Sequence, residues 1–462
     1  MNAEADELAA LRRRLSELER QLIAMQSTTT WKIVKALDDG RRSPGAFLAL
    51  PARIVSLLMD HRRAKQEVST SFQVAGASSD EAAKPSRRMP AVVFCATNGV
   101  GLGHFTRLRA IARSLRAAAP DIPIVFVVST PLVHVTRLDG FTTYYVPPKQ
   151  DVVAATNTAF WESFLESTLR SVLRAHRARA FVFDGVFPTE PILAAMEGAP
   201  DCRRIWVMRG LPSAEVAETR QGYLERFERL IRPAEAGAAV PEATTRDFHC
   251  PPIVSVRRDD LVERASAKAR LGLPAGRLVA YVQLGAGVQN DTAPALKAAV
   301  AALEARGVLP VLAASVLNDL PIDPPSGARI LRDYPTAESF EAFDFAVSAG
   351  GYNTFHELML TRTPSILVPR EGRVNEGDRQ LDRVMIAVDA GAALLVQEGE
   401  DRDALRTAMD DAVGVLCEEE TRQAMREAAG RLMAGAEGSA AAAGEILRLY
   451  QEGADAEEAT HG

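Results

Sequence analysis

Leu8, Leu11, Leu15, Leu18, Leu22 and Met25 recur at alternating steps of three and four among Arg, Glu and Gln. That spacing predicts a helix with a heptad seam. The seam is short. It fits a self-associating coiled coil through residues 8–25, or a helix packed on the rest of the chain. Ser27-Thr28-Thr29-Thr30 interrupts it and suits the cap of a second helical stretch from Trp31. From Trp31 to Arg63, Trp, Phe, Leu, Ile and Val are mixed with Lys and Arg. A basic amphipathic segment of this kind fits an anionic membrane surface, and equally a helix docked on the main body. Residues 66–88, rich in Ser, Ala, Lys and Glu, read as a linker.

At Met89 the pattern changes to short apolar runs alternating with helical spacing. Strands are expected at Ala91 to Ala96, Ile124 to Val128, Phe181 to Asp184 and Arg204 to Met208, with a helix from Phe105 to Ala118. Cys250-Pro251-Pro252 marks a boundary, after which the pattern starts again. Further strands are expected at Leu278 to Leu284, Leu309 to Ala313, Phe345 to Val347 and Ile366 to Val368, and helices at Ala293 to Arg306 and Asp378 to Ala390. Strands alternating with helices imply parallel, doubly wound sheets. The chain thus divides into a helical extension (1–65), the linker (66–88), a first Rossmann-like domain (89–252) and a second (253–450). A tail (451–462) is expected to be disordered. Both sheet domains open with a strand running into a Gly-rich loop, consistent with two lobes facing across a cleft.

The length of 462 residues agrees with several domains rather than one core. Ordinary apolar content (47%) and few aromatics (6%) suit an α/β protein. A net charge of −6 argues against a general nucleic-acid binder, which would be basic. Cys95, Cys202, Cys250 and Cys417 are far apart and form no CxxC pair, so neither a disulfide framework nor a zinc site is expected. A reducing cytosol follows as the expected compartment. The N-terminus is polar and charged, unlike a signal peptide, and no apolar run reaches the length of a membrane span.

The most informative stretch is Val347 to Glu357, Val-Ser-Ala-Gly-Gly-Tyr-Asn-Thr-Phe-His-Glu. A short strand meets a double-Gly turn and then a helix with Phe355, Leu358 and Met359 on one side. Such a turn lets a ligand approach the backbone, and the positive helix start attracts phosphate. Glu357 lies about one helical turn beyond Asn353, and a carboxylate there suits the two hydroxyls of a ribose. The expectation is a nucleotide diphosphate held by its phosphate and its ribose. A plain Gly-rich turn in a doubly wound sheet fits the same letters. His104, Asp184 and Arg209 all fall at or just after expected strand ends, where ligands of such sheets sit.

Four features together carry a family resemblance: Gly-Val-Gly-Leu-Gly-His at 99 to 104, Phe183-Asp184-Gly185 with Phe187-Pro188, Gly350 to Glu357, and Asp378-Arg379-Gln380. In order and spacing, over roughly 90 to 395, the chain resembles glycosyltransferases of the two-domain GT-B fold. It is most similar to the family-28-like group that includes the lipid II N-acetylglucosaminyl transferase, and to predicted bacterial glycosyltransferases. The resemblance implies a nucleotide-sugar donor, commonly a UDP-sugar, on the second domain. Glu357 would hold the ribose. Gly350, Gly351, Tyr352, Asn353 and Thr354 would line the diphosphate. Gly285, Ala286 and Gly287 would border it, Gln380 would touch the sugar, and Tyr334 would sit near the base. Where the lipid II enzyme has a small residue and Leu after the second Gly, this chain has Tyr352 and Asn353, so donor identity does not carry over.

On this footing His104, in the loop with Gly101 and Gly103, is the expected general base, kept neutral by the positive helix start. A donor histidine on an acceptor or phosphate oxygen fits too. Asp184 is the alternative base or the group that orients His104, or simply a strand-end cap. Arg209 suits an acidic acceptor, a phosphate or a surface ion pair. His356 is expected to be packed. No Asp-x-Asp run of the metal-holding kind is present, so metal-independent transfer with no cofactor besides the donor is expected. The expected reaction is inverting transfer from a UDP-sugar, such as UDP-N-acetylglucosamine, to a saccharide or lipid-linked acceptor, as in polysaccharide biosynthesis. A UDP-sugar 2-epimerase of the same fold and a non-catalytic GT-B-like binding scaffold are the alternatives.

Overall fold

The computed structural model describes residues 89–96, 102–153, 157–208, 210–284, 293–314, 316, 327–370, 379–399 and 401–461, with 454–461 as backbone only. The coiled-coil and amphipathic extension, the linker, Gly101, Arg209, Gly285, Ala286 and Gly287 lie outside the described residues. Met89–Val152 and Thr158–Gly462 belong to one compact unit, which holds both sheets.

The first sheet contains β1 (Val92–Ala96), β2 (Ile124–Val128), β3 (Thr142–Tyr145), β4 (Ala180–Asp184), β5 (Arg203–Val207), β6 (Arg229–Pro233) and β7 (Asp247–Cys250). Its order is β3-β2-β1-β4-β5-β6-β7, parallel throughout. The second sheet contains β8 (Val279–Gln283), β9 (Leu309–Ala313), β10 (Arg329–Leu331), β11 (Phe345–Ser348), β12 (Ser365–Leu367) and β13 (Ala393–Leu395). Its order is β10-β9-β8-β11-β12-β13, again parallel throughout. In β1, β2 and β4 every residue is buried. This is why they read as unbroken apolar runs: helices cover both faces of a parallel sheet. β3 has mostly exposed residues at a sheet edge, and the apolar pattern does not announce it.

The helices of the first lobe are α1 (Gly103–Ala118), α2 (Val133–Leu138), α3 (Lys149–Val153), α4 (Thr158–Ala175), α5 (Glu190–Glu197) and α6 (Ala214–Leu224). Those that follow are α7 (Arg264–Arg270), α8 (Ala293–Ala305), α9 (Tyr352–Leu360), α10 (Gln380–Asp389), α11 (Arg402–Cys417), α12 (Glu419–Leu432) and α13 (Gly438–His461). α1 buries Leu108, Ile111, Ala112 and Leu115, the helical stripe expected of a crossover. Among the described residues no helix is long and apolar enough to cross a membrane.

The last helix departs from the sequence division at 253–450. Ala442, Ala443, Ile446, Leu449 and Tyr450 of α13 join the core of the first lobe, beside Val92, Ile124 and Ile205. The Tyr450 hydroxyl donates to the Pro90 carbonyl at 2.7 Å, and Arg229 pairs with Glu445 at 2.6 Å. The chain therefore crosses back after the second sheet is complete. Where disorder is expected from 451, helix backbone continues to His461.

Both sheets reverse strand order once. In the first the switch lies between β1 and β4; in the second, between β8 and β11. Adjacent crossovers leave in opposite directions there, which opens a crevice at the carboxyl ends of the strands. His104 follows β1 and Asp184 ends β4, while Gly350 follows β11.

Candidate active site

At the first switch point three side chains of the first lobe meet. His104 sits in the first turn of α1, one residue after its start. Its Nδ1 lies 2.6 Å from Oδ1 of Asp184, which is 1% exposed. Arg107, one helical turn further on and 2% exposed, donates Nε to Asp184 Oδ2 at 2.9 Å and Nη2 to Oδ1 at 2.6 Å. Burial by itself pushes the Asp184 carboxyl up. The Arg107 cation, with His104 and their hydrogen bonds, outweighs it and holds the carboxyl below its ordinary value. An ionised Asp184 accepts, so the proton on His104 belongs on Nδ1. Nε2 then carries the lone pair of the neutral ring.

At the second switch point β11 runs into Gly350 and Gly351. A Cβ on Gly350 would come within 2.4 Å of Val384 in α10, so only glycine lets that helix pack over the turn. A Cβ on Gly351 would meet nothing within 4 Å. Gly351 is the N-cap of α9, and no side chain caps the helix. The amides of Tyr352, Asn353 and Thr354 have no carbonyl one turn earlier in the helix to bond. They offer a ready anion site with the positive end of the helix behind it.

Asn353 spans the lobes. Its Nδ2 donates to the Gly103 carbonyl at 3.0 Å, and its Oδ1 takes Arg107 Nη1 at 3.4 Å. The start of α9 is thereby joined to the start of α1 and to the His104 group. The Tyr352 side chain is packed in the interior. It is 2% exposed, with its hydroxyl 3.2 Å from the Ile253 amide and 3.5 Å from the Ala234 carbonyl. A buried phenol needs such partners, and it finds them on backbone between β6 and α7. Only its backbone faces the turn. His356 is packed: Nδ1 lies 2.8 Å from the Tyr352 carbonyl, and Nε2 lies 3.2 Å from both the Ala236 amide and Oε2 of Glu235.

Glu357 is half-buried and hydrogen-bonded to Ser255. Burial raises its carboxyl above the ordinary range, and the Ser255 bond offsets this only in part. Among the described residues Ser255 is its side-chain donor, so the carboxylate keeps capacity to accept further hydrogen bonds. Gln380 is buried, with Oε1 accepting from the Arg370 amide at 3.0 Å. That bond fixes the orientation of its side-chain amide. Tyr334 reaches the first lobe: its hydroxyl is 2.8 Å from Thr106 Oγ1, and its ring lies 6.2 Å from that of Phe105. Burial first, against the Thr106 bond, pushes this phenol up to about 12.

Four participating residues were not anticipated. Arg107 stands three residues after His104 on one helix, so helical spacing alone pairs them. Ser255 and the buried pair Glu235–Arg383 carry no motif. Arg383 donates Nε and Nη2 to Glu235 at 2.8 and 2.9 Å and Nη1 to the Gly350 carbonyl at 3.0 Å. It thereby ties the turn to the chain leaving β6.

No protein-family model matches the chain, and none of the curated proteins is similar to it in sequence. Solved structures are similar in fold. The spinosyn forosaminyltransferase SpnP matches with a TM-score of 0.55 and 14% identity, over 78% of this chain and 99% of that one. The glycotransferase of kitacinnamycin matches with a TM-score of 0.53 and 17% identity, over 78% and 100%. The calicheamicin glycosyltransferase CalG4 matches with a TM-score of 0.50 and 14% identity, over 79% and 99%. The fold is GT-B. In GT-B terms the first lobe carries His104, Asp184 and Arg107, and the second carries the α9 turn with Glu357 and Gln380. At these identities the likeness speaks for the fold, and the chemistry rests on the residues just described.

Proposed function

We propose that this GT-B protein is an inverting glycosyltransferase that moves a sugar from a nucleoside-diphosphate sugar, a UDP-sugar in the first instance, to an acceptor hydroxyl. The carrying observation is that a His–Asp pair and an uncapped helix start are joined through Asn353. One supplies a proton acceptor and the other an anion site, the two things sugar transfer needs.

In this reading His104 Nε2 takes the proton of the acceptor hydroxyl as its oxygen attacks the anomeric carbon. The bond from that carbon to the diphosphate breaks on the opposite face, which inverts the configuration. The diphosphate leaves with its charge on the amides at the start of α9. Fixed dipoles aimed at developing charge stabilise it without needing a metal ion. Glu357 would hold the ribose hydroxyls and Gln380 a sugar hydroxyl. Asp184 keeps His104 in the tautomer that leaves Nε2 able to accept.

The acceptor belongs to the first lobe. A saccharide or lipid-linked hydroxyl suits the basic segment at 31–63. The fold neighbours, whose names tie them to spinosyn, kitacinnamycin and calicheamicin, favour a second reading in which the acceptor is a small secondary metabolite. Calorimetry with UDP, dTDP and GDP tests the donor half of the proposal. Binding of none of the three would end it.

A further inference from the structure

The geometry points to Arg107 as a positioning residue, a guanidinium that fixes Asp184 on the His104 ring and opposes retention of a second proton there. The inference deepens the transferase proposal and rests on it for the role of His104.

Three observations carry it. First, Arg107 occupies both oxygens of Asp184, through Nε at 2.9 Å and Nη2 at 2.6 Å. A forked pair of this kind fixes the plane of the carboxylate as well as its charge. Oδ1 is therefore held where His104 Nδ1 meets it at 2.6 Å. Second, the same Nη2 lies 3.1 Å from His104 Nδ1. Two N–H groups cannot bond each other, so both donate to Oδ1 and the guanidinium stands against the ring edge. A ring that gains a second proton then faces a cation at hydrogen-bond distance. Third, the guanidinium is held from the second lobe. Nη1 reaches Asn353 Oδ1 at 3.4 Å, and the cation lies 5.4 Å from the centre of the Tyr352 ring.

The consequence separates this group from a bare His–Asp pair. A lone carboxylate beside the ring strengthens it as a base and also slows the loss of the proton it takes. Here the charge of Asp184 is largely committed to Arg107. The carboxylate then orients the ring, while the nearby cation favours return of the proton to solvent after each transfer. The charged groups at His104 Nδ1 are Asp184 from β4 and Arg107 from α1. The nearby Tyr334 phenol stays uncharged through the neutral range.

The test is a proton titration of His104 by NMR in the full chain carrying 13Cε1-labelled histidine, with His104→Gln to assign the signal among seven histidines. In Arg107→Gln the midpoint should rise by about one pH unit, the size expected when one close cation is lost. In Arg107→Lys, where charge remains but the fork is lost, it should rise by about half as much. A midpoint that stays put or falls, in whichever variant folds, overturns the inference and leaves Arg107 a packing residue. UDP binding to each variant is measured alongside by calorimetry. Wild-type protein that binds no nucleoside diphosphate sinks the transferase proposal, whereas the His104 midpoints speak for Arg107 alone.

Discussion

His104 Nδ1 and Asp184 Oδ1 stand 2.6 Å apart although the residues are 80 positions apart in the chain. The parallel order of the first sheet brings them together, because β1 and β4 are neighbours at its switch point. The pair owes its role to this placement, and its loss should show in turnover rather than in nucleotide affinity.

Asp184→Asn is therefore expected to lower kcat by about 10²- to 10⁴-fold, the range for losing a well-placed general base. The amide can no longer hold the proton on Nδ1. The UDP dissociation constant, measured by calorimetry, should stay within about threefold of wild type, since Asp184 lies on the other lobe. A large loss of UDP affinity with normal turnover would reverse the assignment.

Glu357→Gln should have two opposite effects. The folded protein holds a carboxyl whose pKa is raised, mainly by burial. In the unfolded chain that carboxyl ionises at its lower ordinary value, so this group costs stability as pH rises through the interval between the two. The neutral amide removes that cost, and the Tm of the ligand-free protein at pH 7 should rise. UDP affinity should fall about 10- to 100-fold, as for loss of hydrogen bonds to a charged group. Thermal melts and calorimetry on one preparation check both.

The Glu235–Arg383 pair should control acid stability. Burial raises the Glu235 carboxyl, but His356 and Arg383 overcome this and bring it to about 2. Its folded value is depressed, so its contribution is present above the ordinary value of 4.5 and is lost as pH falls toward about 2. Glu235→Gln leaves Arg383 buried without its carboxylate and should cost about 3–5 kcal/mol near neutrality. In urea melts the gap between wild type and variant should narrow steadily below pH 4.5. A constant gap would show that the carboxylate charge is not what matters.

Ile446→Ala tests the return of α13. Ile446 is 0% exposed within the first-lobe core. Its truncation should cost about 2–5 kcal/mol by urea denaturation, as for other buried large-to-small changes. A change under about 0.5 kcal/mol would place α13 outside that core.

The sequence makes the sheets legible because buried parallel strands are apolar on both faces, and it makes the site legible because glycine turns and polar residues sit at strand ends. β1, β4 and β11 with His104, Asp184 and Gly350 belong to that class. What it hides is long-range. Asn353 meets Gly103 across 250 positions, and no local pattern encodes a bond between two lobes. The Tyr352 letters suggest a polar lining residue, yet burial and two backbone partners turn the side chain away from the turn. Arg107 looks like one more cation on an amphipathic helix until the Asp184 carboxylate is placed beside it.

The central claim is that the amides at the start of α9 and the Glu357 carboxylate hold one nucleoside diphosphate. A crystal structure with UDP tests it most directly. The diphosphate oxygens should lie within hydrogen-bond reach of the Asn353 and Thr354 amides, with both ribose hydroxyls on Glu357. Uridine bound anywhere else, or a diphosphate bound away from Gly351, would contradict it.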